Sequence, residues 1–245
     1  MAVWFLLWLF YLSIVNVGQT FYAFGWESML LEAGFFAIFL GSASTTVPLL
    51  IIWCLRWMLF RVEFGAGLIK IRGDSCCKDL TCLDYHHETQ PMPNPFSWYF
   101  HHLPKFFHRV ETVGNHFAQL VVPFGLFAPQ PIASIAGVLI IITQSWLILS
   151  GNFSWLNFLT IALAIVSFDN MALARLFNIA VPTTLHAPLG YEIIVIGLFL
   201  LVIYLSIEPI KNLVSRGQLM NYSFNSLHLI NAYGAFGSIT RKRFE

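Results

Sequence analysis

Charge is what this sequence has least of. Only 10% of its 245 residues are charged, against about a quarter in an ordinary soluble domain, so a soluble globular fold is excluded at the outset. With 13 basic and 12 acidic residues the net charge is +1, and no basic patch of domain scale exists, which argues against nucleic acid as a partner. Cysteine is also scarce. The four present form no C-x-x-C pair and no second pair of zinc-ribbon spacing, and no H-E-x-x-H occurs, so no metal is expected. The opening MAVWFLLWLFYLSIVNVG lacks a basic n-region and an A-x-A-like cleavage site, and reads as a retained spanning helix rather than a signal peptide.

What the sequence has is hydrocarbon-like length. Hydrophobic residues make up 58% of the chain and the mean hydropathy is +0.72. Apolar runs of nearly 20 residues, the length that crosses about 30 Å of hydrocarbon, recur throughout. The expected fold is an all-α membrane protein, a polytopic bundle of about six transmembrane helices over residues 1–210, with membrane lipid as its surroundings. Two polar stretches interrupt this pattern. Residues 71–112 form a long loop rich in His, Cys and aromatics, expected to fold as a cap on the bundle, with Pro91, Pro93 and Pro95 forcing a helix-free path. Residues 211–245 are polar, alternating and glycine-punctuated, as the first strands of a truncated β-rich soluble domain would be.

The run from Val47 to Ile71 carries the chemistry. Charges inside a membrane-grade segment are costly and mark a working site by default. Arg56, Glu63 and Lys70 recur every seven residues and therefore share nearly one stripe of a helix. Arg56 and Lys70 stand about 21 Å apart along the axis, so one centre cannot use both. Gly65, Ala66 and Gly67 admit close approach of a neighbouring helix or ligand. With Arg72, Asp74 and Glu88 from the loop, and His108, Glu111 and His116 from HRVETVGNHF, these residues form the candidate polar site. Cys76 and Cys82 close a short disulfide loop if the segment faces an oxidising compartment; a thiol redox role for Cys76, Cys77 and Cys82 is the competing reading.

FGAGLIKIRGD and the long run DLTCLDYHHETQPMPNPFSWYFHHLPKFFHRVETVGNHFAQLVVPF resemble the lipase maturation factor family, as do GWESMLLEAGF, SGNFSWLNFLT and NAYGAFGS. The resemblance spans nearly the whole chain. It implies a multi-pass membrane protein that matures secreted homodimeric lipases, in the endoplasmic reticulum membrane of an animal or the plasma membrane of a bacterium, with no cofactor expected. It also implies that Cys76 and Cys82 occupy family positions, whereas Cys77 stands where the family commonly has tryptophan.

The F-x-A-G-x-x-K pattern from Phe64 to Lys70 is similar, more distantly, to the membrane domain of vitamin K-dependent γ-carboxylases. That resemblance implies an enzyme in which Lys70 is the catalytic base acting on a lipid-soluble substrate or cofactor. The carboxylase pattern has two adjacent lysines, and Ile69 takes the first place here.

Overall fold

The computed structural model describes residues 1–42, 44–90, 92–181 and 183–239; Pro91 lies outside them. The regular elements among the described residues are all helices, with no strand among them. Helix α1 (Ala2–Gly18) leads through a 3-10 turn to α2 (Gly25–Ala37), against which it packs, and α2 packs beside α3 (Leu49–Arg72), the central element. Pro48 precedes the first residue of α3, where its missing N–H costs nothing, and Lys70 and Arg72 lie in the last turn, where cations complement the helix dipole.

The cap segment folds as short helices: α4 (Ser75–Lys78), α5 (Leu83–Thr89), α6 (Ser97–His101) and the start of α7 (Lys105–Leu120). Around Pro93 and Pro95 the backbone is non-helical. Asn94 and Ser97 donate to the carbonyls of Ile148 and Ser150, at 2.9 and 2.8 Å, and so fasten the cap to the end of α8 (Ile132–Ser150). The remaining helices are α9 (Leu156–Ala164), α10 (Asn170–Phe177), α11 (Leu189–Leu205) and α12 (Ile207–Val214).

The structure corrects the count of about six spans. Among the described residues, three helical stretches are long and apolar enough to cross a membrane: Ala2–Tyr22, Ile132–Ser150 and Leu189–Val214. A fourth is obtained if Leu156–Ser167 and Asn170–Phe177, bent by 115°, count as one broken span. The reason lies in helix length. Helix α2 has 13 residues, about 20 Å at 1.5 Å per residue, and LVVPFGLF forms only a 3-10 turn over Val122–Phe127. Helix α3 has the length, but five charged side chains set it apart from a simple lipid-facing span.

The β-rich tail is corrected as well. Within residues 215–239 the only pairing among described residues is a single bridge between Tyr222 and Ala232. The tail's polar groups go elsewhere: Gln218 donates to the Gly65 carbonyl, Asn225 and Asn231 bind local backbone, and Leu229 to Tyr233 bury against the helices. Backbone committed to side-chain partners and to a helical wall has no ladder left to form.

Candidate functional site

The last turn of α3 meets α5, α7 and α8 around a cavity of about 360 Å³. Its walls are mostly apolar, from Phe107, Val110, Ile142, Trp146 and Phe153, with Lys70, His87, Glu111 and His116 as polar members. Lys70 is buried, and its ammonium donates to Asn115 Oδ1 at 2.6 Å and Gln119 Oε1 at 2.9 Å. Those acceptors lie four residues apart on α7 and therefore share one face. Phe236 of the tail lies 5.4 Å from the Lys70 nitrogen.

Nearly two turns below, buried Glu63 accepts from Gln144 Nε2 at 2.6 Å. Gln119 stands between the two charges, accepting from Lys70 and lying beside Glu63. Gln144 was the legible signal missed in the sequence, a lone amide inside an apolar spanning helix, where a polar group needs a partner.

The other expected site residues divide. Glu111 and His116 line the cavity, and His116 Nε2 contacts the Cys77 carbonyl at 2.9 Å. His108 is buried nearby but turned to the Phe100 carbonyl and to Asp84. Arg56 is not in this site. Its guanidinium donates to the carbonyls of Leu126, Val166 and Ser167, in the last turns of two 3-10 segments, and Gln130 donates to the Ser167 carbonyl as well. Arg72 holds the tail through Leu213 and Gln218, and Asp74 caps α4 by accepting from the Cys76 amide. Glu88 is exposed, 3.5 Å from His101.

Cys76 and Cys82 are joined as a disulfide, and the free thiol of Cys77 lies 2.8 Å from the Cys82 sulfur. Burial pushes the Cys77 thiol up; Lys70 opposes that shift and Asp74 adds to it.

Burial, then the charges of His86 and His108, pushes His87 down to about 4, although the nearby Ser150 backbone pulls upward. His86 is likewise lowered to about 4, by burial and then by Lys70. Burial raises Glu111, with Trp146 and His108 pulling it back. The sign for the cap follows. A histidine whose folded pKa lies below its unfolded 6.5 is fully tolerated above pH 6.5, and its contribution is lost as pH falls toward 4, because only the unfolded cap then takes the proton freely. The shift on His87 is worth about 3 kcal/mol over that window. Glu111, raised, works in the opposite sense, adding stability in acid that is lost as pH climbs through its folded value. Two histidines against one carboxyl predict that the cap opens first between pH 6.5 and 4, seen as faster amide exchange in α5 and α6 than in α8 after correction for intrinsic rates. Equal slowing or no change in the cap across that window would contradict it.

Residues 1–175 match the family Lipase maturation factor transmembrane domain. Lipase maturation factor 1 of Homo sapiens is 46% identical over a 265-residue alignment covering 98% of this chain and 47% of that protein. Lipase maturation factor 1 of Mus musculus is 44% identical, with 98% and 46% covered. Lipase maturation factor 2 of Xenopus tropicalis is 35% identical over 181 residues, 69% of this chain and 25% of that protein. The chain thus spans about half the length of the first of these relatives. No solved structure matches it. Similarity that runs through the spans, the cap and the tail alike leads to one assignment: the chain is an integral membrane protein belonging to the lipase maturation factor family.

Proposed function

We propose that this chain is a membrane-embedded folding and maturation factor for secreted lipases, acting in the endoplasmic reticulum membrane. The observation that carries the reading is the 46% identity to Lipase maturation factor 1 over 98% of the chain. The fold is consistent with a scaffold. The cap is fastened to α8 by Asn94 and Ser97, and the tail to α3 by Gln218 and Arg72, so the end of the bundle where α3 and α8 stop is a tied platform.

The test is secretion of a homodimeric lipase from cells lacking their own maturation factors, with and without this chain, read as activity per secreted lipase molecule. A several-fold rise is expected. No rise, at verified membrane insertion, would remove the reading.

The burial of Lys70 in a cavity wall favours a second reading, base chemistry at Lys70 on a lipid-soluble substrate. The same assay separates the two. Activity lost in both Lys70→Ala and Lys70→Arg at normal insertion supports base chemistry, whereas activity retained in Lys70→Ala removes it.

A further inference from the structure

The cavity beside Lys70 is built for an occupant. Its volume, about 360 Å³, falls at the low end of the roughly 300–1,000 Å³ range of small-molecule sites, and its walls are predominantly hydrocarbon and aromatic. At Gly114 a Cβ would meet nothing within 4 Å, so α7 itself leaves room on this side.

Its polar groups are incompletely matched. Lys70 is 7% exposed and its ammonium directly contacts only neutral amide oxygens and an aromatic ring; no carboxylate lies in ion-pair contact with it among the described residues. An ammonium has three N–H donors, and two are used. The nearest acid on its own helix, Glu63, is held off behind Gln119, so the ammonium has no carboxylate in contact, and a buried cation in that position is an energetic deficit that an anion alongside it reduces. His87, 3% exposed, lies in the same wall; neither ring nitrogen meets full hydrogen-bond geometry, although the Ser150 backbone lies near, and its nearest carboxylate oxygen, on Glu111, is 3.9 Å away.

We infer that this cavity binds a single-tailed anionic amphiphile, with its carboxylate or phosphate head paired to Lys70, His87 offering a further donor, and its hydrocarbon tail along Phe107, Val110, Ile142 and Trp146. The small volume selects one tail over two. The apolar walls select a lipid over a free anion. Glu111 is the one acid in the wall, and its burial favours the neutral form beside an anionic head. Binding of this kind depends on neither functional reading above, and it is measured without lipase.

The test uses the whole chain in nanodiscs of zwitterionic phosphatidylcholine, titrated with oleate, oleoyl lysophosphatidate, oleyl alcohol and inorganic phosphate, binding being read by displacement of a fluorescent C18 fatty acid. At least one of the two anionic lipids is expected to bind on the order of tenfold tighter than oleyl alcohol, with inorganic phosphate alone inactive. The tighter of the two identifies the head as carboxylate or phosphate. Lys70→Met should erase the preference for anions while Lys70→Arg keeps it, and Gly114→Phe, which fills the cavity, should weaken all three lipids. Equal binding of oleyl alcohol and both anions, displacement by phosphate alone, or wild-type binding in Gly114→Phe would overturn the proposal. If Lys70→Met does not insert, Lys70→Arg and Gly114→Phe decide.

Discussion

Arg61→Met is expected to leave almost no folded protein in the membrane. Arg61 and Glu32 are both essentially without solvent and form a direct ion pair between α3 and α2. The tail completes the knot. Arg61 donates to the Asn231 carbonyl at 2.5 Å, while Glu32 accepts from the Asn231 amide and from the Tyr233 hydroxyl, both at 2.8 Å. The Trp57 and Tyr233 rings flank the guanidinium at 5.5 and 5.7 Å. Removing one member of a buried pair leaves the other charge unmatched, at a cost of about 3–5 kcal/mol. That is a large share of the roughly 5–15 kcal/mol by which domains are stable. Size-exclusion profiles of detergent-extracted protein should show loss of the monodisperse peak. The double variant Glu32→Gln with Arg61→Met removes both charges together and should recover part of it. An unchanged peak in the single variant would show that the knot does not hold α2, α3 and the tail together.

Much of this arrangement was legible, and the misses share a cause. Periodicity and composition place Glu63 and Lys70 on one stripe of a long helix, and the structure brings both to Gln119. Arg56 sits on that stripe too, yet its partners are backbone carbonyls of 3-10 turns 70 or more residues away, which no local pattern announces. Glu32 and Arg61 were each visible as charges in apolar runs. Their meeting with Asn231 joins positions 170 residues and more apart, and pairing at that range is tertiary information. The tail was misread because alternation of apolar and polar residues fits a strand, whereas Leu229 and Ile230, adjacent in sequence, are both buried. The span count was inflated because apolar composition reports burial or lipid contact equally, and helix length and the charges within the helix are what separate them.

Gly65→Val should release the tail while leaving the spanning helices in place. The FGAG stretch reads as room for a neighbouring helix or ligand, and the structure divides that room between two neighbours. A Cβ at Gly65 would collide with the backbone oxygen of Tyr233, and one at Gly73 with that of Gly237, so both glycines admit the tail. A Cβ at Gly67 instead meets the Leu120 side chain of α7 at 2.8 Å, which can turn aside, and the Gln119 Cβ at 3.0 Å, for which α7 need shift by only a few tenths of an ångström. Backbone cannot yield in that way. To fit valine at position 65 the tail must lift, and lifting it pulls Asn231 and Tyr233 off Glu32 and Arg61 and breaks the Gln218 bond to the Gly65 carbonyl. Overpacking alone costs about 1–3 kcal/mol, and the stranded Glu32 adds to it. Limited proteolysis in detergent should therefore cut Gly65→Val within residues 215–239 at protease levels that spare wild type, with Gly67→Ala remaining resistant. If Gly65→Val resists as well as wild type, the tail does not depend on its seat against α3; if Gly67→Ala is cut as readily, the distinction between yielding side chain and unyielding backbone fails.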